Sequence, residues 1–294
     1  MHFSATVTIP ATTANIGPGF DSFGIALNIF NQVTLEKSAT PTNLPLIAQD
    51  TAKAFFNAAN QNSFPFSLTI AGDVPRSRGL GSSVTVRLGV LMALNQMLDH
   101  PLSSSMLYEL GAVLEGHPDN VAAALSGGFT IARKNYFPLR FEVSSKLFFI
   151  LLIPSFEIPT QAARQLLPSN ILLTDAAANA ADAAVIAAAF ATQNYELLHE
   201  TFRDRLHQPF RTPLIPFLPK VLTTAEKAGA LGGWLSGSGS TIATVALGKE
   251  KATRVAAAIQ KIAPQGSKIV ITTANNEGAR AIADEKNLTK TRFE

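Results

Sequence analysis

Two glycines and two serines fall within five consecutive positions, Gly79-Leu80-Gly81-Ser82-Ser83. An amphipathic helical pattern follows at once, with apolar residues three and four positions apart (Val84, Leu88, Leu91, Leu94 and Leu98). The two serines stand at N-cap positions. Free backbone N–H groups at the positive end of a helix dipole bind phosphate. The sequence therefore predicts a phosphate site, although neither Walker A nor Rossmann spacing is present, and an ordinary helix cap is the alternative.

Polar residues with binding or proton-transfer chemistry occur in two further loops. Asn15 and Asp21 lie in a glycine- and proline-rich segment between two apolar strand patterns. An imidazole, an acid and a carboxamide are combined at His117, Asp119 and Asn120. Asn and Asp in such settings also form Asx turns and helix caps without any catalytic role. From these residues alone both interpretations stay open.

Two glutamates accompany a second amphipathic helix, whose apolar face is Met106, Leu107, Leu110, Val113 and Leu114. At 100° per residue, Glu109 falls at the edge of this face and Glu115 on the far, exposed side. A carboxylate at the rim of a buried face costs desolvation energy unless a cation meets it. A Mg²⁺ ion bound to nucleotide phosphates, or a nearby arginine, would supply the positive charge next to Glu109. A surface glutamate is the simpler alternative.

Apolar periodicity predicts the elements that must position these loops. Strands are expected at residues 3–9 (ending at Pro10), 27–37, 64–70, 147–154 and 268–273, and helices at residues 47–59, 176–191, 195–206 and 252–262. Gly237-Ser238-Gly239-Ser240 separates two more strand-like segments and predicts a turn. The 294 residues suit two domains, and the apolar run at 147–154 begins the second.

Bulk composition excludes several classes of protein. Hydrophobic residues make up 47% of the chain, which is enough for a sizeable core. The net charge of +3 is small and dispersed, so nucleic acid is not expected as a partner. No cysteine is present, which excludes disulfides and thiolate metal sites and fits a cytoplasmic protein. The N-terminus lacks the basic start and the apolar core of a signal peptide, and the apolar run at 147–154 is too short to cross a bilayer. We expect no membrane association.

Three segments together resemble the motifs of the GHMP kinase family. Residues 11–24 resemble the first motif, Pro75 and the following GLGSS run the second, and residues 229–245 the third. The resemblance implies an α+β, two-domain fold. Residues 1–150 would form a nucleotide-binding domain like domain 2 of ribosomal protein S5, and residues 151–294 a ferredoxin-like domain. It also implies ATP and Mg²⁺ as cofactors and a homodimer. Val84-Thr85 and Gly239-Ser240 depart from the usual motifs.

The resemblance also implies roles for individual residues. ATP would be bound by Pro75, Arg76, Ser77, Arg78, Gly79, Leu80, Gly81, Ser82, Ser83, Val84 and Thr85. The substrate would be bound by Asn15, Asp21, His117, Asp119, Thr160, Arg164 and Arg211. Mg²⁺ would be held by Ser83 and by Glu109, which lies eight residues before the histidine. The catalytic residues would be Asp119, acting as a base or only as a positioning group, and Asn120.

The segment at residues 115–128, together with Arg164 and Arg211, is similar to the corresponding residues of those family members that phosphorylate homoserine. A planar guanidinium binds a carboxylate through two parallel hydrogen bonds, which suits an amino-acid substrate. Either arginine could equally be a surface residue. The expected function is ATP-dependent phosphorylation of L-homoserine in threonine biosynthesis. The alternatives are a GHMP kinase acting on mevalonate or a sugar alcohol, and a non-catalytic nucleotide-binding module of the same fold.

Overall fold

The computed structural model describes residues 2–282, in which helices pack against two antiparallel sheets. The strands of this part are β1 (Ser4–Ala14), β2 (Phe23–Lys37), β3 (Phe66–Gly72), β4 (Phe129–Arg133), β5 (Tyr136–Phe141), β6 (Leu147–Ile153), β7 (Gly232–Leu235), β8 (Ile242–Leu247), β9 (Lys268–Thr273) and β10 (Arg280–Ile282). Its α-helices are α1 (Leu46–Ala58), α2 (Ser82–Met97), α3 (Ser104–Glu115), α4 (Asp119–Ser126), α5 (Thr160–Gln165), α6 (Leu173–Thr192), α7 (Gln208–Arg211), α8 (Leu218–Lys227) and α9 (Lys249–Gln260).

The first sheet has the order β10-β1-β2-β4-β5, and β3 pairs with the second half of β2. Helix α2 is buried along most of its length between this sheet and the helices α1, α3 and α4. Four residues of its predicted apolar face, Val84, Leu88, Leu91 and Leu94, are buried, whereas Leu98 follows the end of the helix and is half-buried. Burial on several sides fixes the position of the α2 N-terminus relative to the sheet.

Strand β1 continues past Pro10, where the sequence predicts its end. A β-bulge between Pro10 and Ala11 shifts the register, and pairing with β2 resumes at Ala11 and Leu27. A bulge is one of the places where a sheet tolerates proline, which cannot donate a ladder hydrogen bond. The strand therefore runs to Ala14 and delivers Asn15 directly to the end of the sheet.

The second sheet has the order β7-β8-β6-β9. Its strand β6, with the sequence LFFILLI, is buried along almost its whole length, and α8 and α9 contribute to the core on one face. The domain boundary predicted after residue 150 falls inside β6, which belongs entirely to this sheet. Strand β10 returns from the C-terminal part to pair with β1. One hydrophobic cluster contains residues of both sheets, so the two parts pack against each other directly.

The helix predicted at residues 195–206 is wrong beyond its first turn. A 3₁₀ turn covers Tyr195–Leu198, and the chain then runs as a loop to α7. In this loop the ring of Phe202 stacks on Trp234, with 5.1 Å between the ring centroids. The carboxylate of Asp204 accepts three backbone N–H bonds at the start of α7. Tertiary packing and this cap outweigh the local helical pattern.

Helix α6 confirms the predicted alanine-rich helix. Within residues 2–282 it is the one helix that is long and apolar enough to cross a membrane by length and composition, with a mean hydropathy of 1.2. Its polar residues are engaged inside the fold, because Asn179 donates to the carbonyl of Pro18 (2.8 Å) and Asp182 pairs with Arg205 (3.1 Å). Alanine supplies much of the hydropathy. One face of α6, with Asn179, Ile186, Ala189 and Phe190, packs on the core, and the rest of the helix is largely exposed.

Candidate active site

A cavity of about 630 Å³ lies where the two sheets meet. Its lining comes from the phosphate loop (residues 75–83), the β1–β2 loop (residues 15–22), the start of α4, α5, α7 and the glycine-rich loop between β7 and β8 (residues 236–241). The structure brings all seven predicted substrate-binding residues to this one cavity: Asn15, Asp21, His117, Asp119, Thr160, Arg164 and Arg211. Residues from distant parts of the chain therefore share one site.

The phosphate loop enters α2 through Gly81, which is the N-cap and has a left-handed φ of 68°. The predicted capping role of Ser82 and Ser83 is wrong, because both lie inside the first turn of the helix. A Cβ atom on Gly81 would lie 2.1 Å from Oγ1 of Thr12, so the close approach to β1 requires glycine. No side chain caps this helix start, which leaves its backbone N–H groups available for a phosphate.

The phosphate loop also packs closely against the glycine-rich loop of the second sheet. A Cβ atom on Gly79 would lie 2.1 Å from the carbonyl oxygen of Ser236. The hydroxyl of Ser236 donates to the carbonyl of Gly79 (2.6 Å), and the N–H of Thr241 donates to the carbonyl of Arg78 (3.1 Å). The second and third motifs are therefore joined by main-chain contacts.

The predicted ATP-binding residues fall into two groups. Those that line the cavity are Arg76, Ser77, Arg78, Gly79, Gly81, Ser82 and Ser83. Pro75, Leu80, Val84 and Thr85 do not line it. Leu80, Val84 and Thr85 are buried, and Oγ1 of Thr85 donates to the carbonyl of Ser82 (2.8 Å). These buried residues support the loop from the core side.

Arg78 is bound to protein groups. Its guanidinium donates to the carbonyls of Pro154 (2.9 Å), Ser155 (2.6 Å) and Arg76 (3.1 Å), and it pairs with Glu157 (3.1 Å). Three carbonyl acceptors and a carboxylate hold the side chain in one orientation. Arg78 therefore joins the phosphate loop to the segment that leads into α5.

The structure contradicts the predicted pairing of Glu109 with Ser83. Glu109 is exposed on α3 and does not line the cavity. Glu115 lines the cavity instead, with a side chain that is 6% exposed, and it accepts a hydrogen bond from Oγ of Ser83 (2.7 Å). The Nε of Arg87 lies 2.7 Å from the other carboxylate oxygen, as an ion pair without the alignment of a good hydrogen bond.

The error arises from the face of α3 that packs on the core. The buried residues of α3 are Leu107, Tyr108 and Gly111, whereas Val113 is 79% exposed. A Cβ atom on Gly111 would lie 2.9 Å from Val121, so glycine allows the close approach of α4. The buried face is therefore rotated from the one counted by hydrophobicity, and Glu115, four residues after Gly111, lies on it.

The β1–β2 loop has an unusual backbone. Asn15, Ile16, Gly17 and Asp21 all have positive φ, which is rare for a β-branched residue such as Ile16. Oδ1 of Asn15 accepts the N–H of Asp21 (3.1 Å), six residues on, which is a longer span than that of an Asx turn, and Nδ2 donates to the carbonyl of Gly237 (2.9 Å). Asn15 thus closes the loop and ties it to the glycine-rich loop.

Asp21 and Arg164 form a bidentate ion pair at the cavity wall. Both oxygen–nitrogen distances are 2.9 Å, and the side chains are about one third exposed. The hydrogen bond to Asp21 raises the pKa of Arg164 against the effect of burial. An acid and a guanidinium at one wall offer one group for an ammonium and one for a carboxylate.

The residues at the start of α4 form a connected network. Oδ1 of Asp119 accepts the backbone N–H of Asn120 (2.7 Å) and lies 2.9 Å from Nδ1 of His117. Oδ1 of Asn120 in turn accepts the hydroxyl of Thr12 (2.6 Å). Burial lowers the pKa of His117, but the hydrogen bond and charge of Asp119 outweigh it, so the pKa is raised overall. Asp119, itself buried, is held in one orientation at the cavity wall.

Arg211 is a buried cation that faces the cavity. It is 2% exposed, and its guanidinium donates to the carbonyl of Gly237 (3.0 Å) and contacts Nδ1 of His207 (3.3 Å). Among residues 2–282 no carboxylate forms an ion pair with it. Burial, followed by the nearby charge of Arg164, lowers the pKa of Arg211 to about 10. A buried guanidinium with neutral partners favours an anionic ligand.

Sequence reasoning did not identify the individual apolar residues of the cavity lining. These include Pro45, Ile47, Ile70, Val74 and Val86, which come from α1, β3 and α2 or from the residues next to them. Their types are those of ordinary core residues, so no pattern in the sequence distinguishes them. An apolar end beside a phosphate loop suits a nucleobase.

The chain matches two family models in order along its length. The GHMP kinases N terminal domain matches residues 46–128, and the GHMP kinases C terminal domain matches residues 186–265. The chain belongs to the GHMP kinase family, and the two-domain α+β fold expected from the sequence is confirmed. It is therefore an ATP-using enzyme.

Similar proteins include several homoserine kinases. That of Moorella thermoacetica is 38% identical over 260 residues, which are 83% of this chain and 88% of the relative. That of Synechocystis sp. is 36% identical over 83% of this chain and 86% of the relative. The crystal structure of homoserine kinase from Cytophaga hutchinsonii superposes with a TM-score of 0.86 at 28% identity, covering 96% and 98% of the two chains. The mevalonate diphosphate decarboxylase of Staphylococcus aureus, with a TM-score of 0.74 at 15% identity, shares the fold.

Proposed function

We propose that this GHMP kinase transfers the γ-phosphoryl group of ATP to the side-chain hydroxyl of L-homoserine, giving O-phospho-L-homoserine for threonine biosynthesis. The observation that supports an amino-acid substrate is the position of Arg211, which is buried at the cavity wall with neutral hydrogen-bond partners. A substrate carboxylate supplies the missing negative charge. Asp21 lies on the same wall and accepts the ammonium of an amino acid.

The ion pair of Asp21 and Arg164 fits a zwitterionic substrate. In the structure the two side chains neutralise each other. An amino acid presents an ammonium to Asp21 and a carboxylate to Arg164 and Arg211, so each charge exchanges one partner for another. Such an exchange costs little desolvation compared with burying a lone ion. Mevalonate has a carboxylate but no ammonium, and galactose has neither.

The nucleotide is placed by the other half of the cavity. Its phosphates bind the free N–H groups at the start of α2, and its base lies between the apolar residues Ile47, Ile70 and Val74. The oxygens of Ser83 and Glu115 are adjacent and suit Mg²⁺, which prefers one or two protein oxygens together with phosphate. When bound, Mg²⁺ neutralises charge on the phosphate oxygens.

The chain's own contribution to phosphoryl transfer is mainly positioning. Asp119 uses Oδ1 for His117 and Asn120, which directs Oδ2 toward the substrate hydroxyl. Asn120 is anchored through Thr12 and through one amide N–H that donates to Oδ1 of Asp119 (3.2 Å), and it offers its second amide N–H to the same hydroxyl. Asp119 raises the pKa of His117, which favours the imidazolium form beside the transferred group. The enzyme is proposed to act in the cytoplasm as a homodimer.

A coupled ADP-release assay with Mg-ATP tests the proposal. L-Homoserine is the substrate, and mevalonate, shikimate and galactose are compared with it. Turnover of homoserine and little or none of the other three is the expected result. Preferential turnover of mevalonate or a sugar contradicts the substrate and leaves the family assignment intact. ATP binding without turnover of any alcohol indicates a non-catalytic module.

A further inference from the structure

His207 is a fully buried histidine that lies outside the cavity lining and next to Arg211. Its imidazole touches both parts of the molecule. Nε2 lies 3.1 Å from the carbonyl oxygen of Gly17 in the β1–β2 loop, and Nδ1 lies 3.3 Å from the guanidinium of Arg211 on α7. We propose, resting on the function proposed above, that His207 is a positioning residue that orients Arg211 toward the substrate carboxylate and ties it to the loop carrying Asp21.

The partners of His207 assign its tautomer. A carbonyl oxygen only accepts hydrogen bonds and a guanidinium only donates them. Nε2 therefore carries the proton and Nδ1 offers its lone pair to Arg211. The carboxylate of Asp204, 3.5 Å from Nε2, reinforces this arrangement. A protonated imidazole would turn Nδ1 into a donor facing the guanidinium, so the arrangement requires the neutral form.

The surroundings keep His207 neutral. Burial lowers its pKa to about 4, and the positive charge of Arg211 acts in the same direction. Asp204, the carbonyl of Gly17 and, more weakly, Asp21 oppose this shift. At neutral pH the neutral imidazole supplies an acceptor to Arg211 without forming an ion pair with the guanidinium. A carboxylate in place of His207 would satisfy Arg211 internally and remove its attraction for a substrate.

Phe20 completes the arrangement. Its ring stacks on His207, with 5.3 Å between centroids and 27° between planes. The guanidinium carbons of Arg164 and Arg211 each lie 5.5 Å from the centroid of the same ring. Two like charges are thus held beside one aromatic platform, where cation–π attraction offsets their mutual repulsion. A displacement of the His207 ring would shift Phe20 and with it both arginines.

Two substitutions separate the two contacts of His207. In H207Q the terminal amide reaches the position of Nε2. This variant retains a hydrogen-bond donor for the carbonyl of Gly17 and loses the acceptor for Arg211. In H207N the shorter amide retains an acceptor near Arg211 and loses the link to Gly17. H199Q is the matched control, because His199 is exposed and pairs with Glu196 away from the cavity.

The readout is selectivity for the carboxylate. 3-Aminopropan-1-ol retains the ammonium and the hydroxyl of homoserine and lacks its carboxylate. H207Q is expected to lower kcat/KM for homoserine about tenfold, mainly through KM. The kcat/KM for 3-aminopropan-1-ol, or its Ki against homoserine where turnover is too slow, should change less than about threefold. H207N should retain most of the selectivity, and H199Q should match the wild type in KM for both homoserine and ATP.

The outcomes distinguish this inference from the proposed function. A wild-type enzyme that does not phosphorylate homoserine rejects the function. If the wild type is active but H207Q weakens both amino alcohols equally, or neither, the positioning role is rejected.

A measurement on the unaltered protein gives an independent test. Long-range ¹H–¹⁵N NMR of the wild type should show His207 as the neutral Nε2–H tautomer from pH 5.5 to 8. An Nδ1–H tautomer or an imidazolium at pH 7 overturns the inference even if the variants do not fold.

Discussion

At the scale of single residues, the site combines charged side chains that are paired within the protein with one, Arg211, whose hydrogen-bond partners are neutral. Arg211 is buried among neutral acceptors, whereas Arg164 and Asp21 neutralise each other at the cavity wall. Glu115 is nearly buried, yet its immediate neighbours are the hydroxyl of Ser83 and the guanidinium of Arg87. A site with such groups binds ions of complementary charge, since each bound ion replaces solvation that burial removed.

The assignment of the metal-binding carboxylate is tested by two glutamine substitutions. E115Q retains shape and removes the charge beside Ser83, so the Mg²⁺ concentration for half-maximal rate should rise about ten- to a hundredfold. E109Q is the control, because Glu109 is exposed and outside the cavity, and it should match the wild type. The measurement is ADP release against Mg²⁺ at fixed ATP. A large effect of E109Q together with a silent E115Q would restore the original prediction.

The role of Asp119 is tested by D119N. Because Oδ1 is occupied by His117 and Asn120, we expect a positioning role. KM for homoserine should rise about tenfold, and kcat should fall less than about tenfold. A general base would give the reverse pattern, with kcat reduced by about 10² to 10⁴ at nearly constant KM. Steady-state kinetics at saturating Mg-ATP separates the two.

At the scale of elements, the active site is the meeting point of three loops held together by close packing and by hydrogen bonds from side chains to main-chain carbonyls. The phosphate loop packs on the glycine-rich loop at Gly79, and the β1–β2 loop is tied to the same segment through Asn15 and Gly237. Arg78 adds a bridge from the phosphate loop to the segment before α5. The nucleotide and substrate halves are thus one mechanical unit, and a change at any of these contacts affects both.

The contact between the phosphate loop and the glycine-rich loop is tested by G79A. Alanine at this position is strained by its φ of 74° and meets the carbonyl of Ser236. G248A is the control, because Gly248 also has positive φ (87°) with no atom near the added methyl. Strain alone costs about 1–2 kcal/mol, and the clash should make G79A at least about 1 kcal/mol less stable than G248A. Urea denaturation measures the difference. Equal stabilities would mean that the two loops separate freely.

G79A should also weaken the binding of both substrates, because the loop bears on both halves of the cavity. KM for ATP and KM for homoserine are expected to rise together, whereas G248A should leave both unchanged. A rise confined to ATP would show that the substrate half is independent of the phosphate loop.

At the scale of the whole molecule, two interlocked sheets share a hydrophobic core, and buried polar groups lie where they meet. His207 contacts Gly17 on the first-domain side and Arg211 on the second. The cost of charging such a group is a property of the complete fold, because only the folded chain removes it from water.

The buried histidine predicts a pH dependence of stability. The pKa of His207 falls from 6.5 when unfolded to about 4 when folded, so below pH 6.5 the unfolded state binds a proton that the native state rejects. Stability therefore decreases as the pH falls from 6.5 toward 4, with a slope of up to about 1.4 kcal/mol per pH unit. H207Q should lack this contribution. The raised pKa of His117 acts in the opposite direction and is common to both proteins.

Urea denaturation of the wild type and H207Q at several pH values between 4.5 and 7.5 measures this contribution. The difference between the two free energies of unfolding should be constant above pH 7 and should shrink or reverse toward pH 4.5. A difference that does not change with pH would show that His207 is charged, or accessible to water, in the folded protein.

The sequence by itself determined the chemistry of the three loops and their order. The glycine-rich loop that leads into a helix and the local run His117-Pro118-Asp119-Asn120 depend on neighbouring residues, although the capping role predicted for Ser82 and Ser83 was wrong. The resemblance to the family, and not the residue types alone, suggested an arginine pair for a carboxylate. These features are short-range, and for that reason they could be predicted.

Tertiary structure decided which side chains reach the cavity and which are held away from it. Glu115 reaches the cavity and Glu109 does not, because Gly111 allows α4 to approach closely and so determines which face of α3 is buried. Apolar periodicity does not reveal this contact. Burial of Arg211 and its neutral partner His207 depend on segments far apart in the chain. Desolvation and close packing arise when distant segments meet, so the charge state and the reach of these side chains were determined by the complete fold.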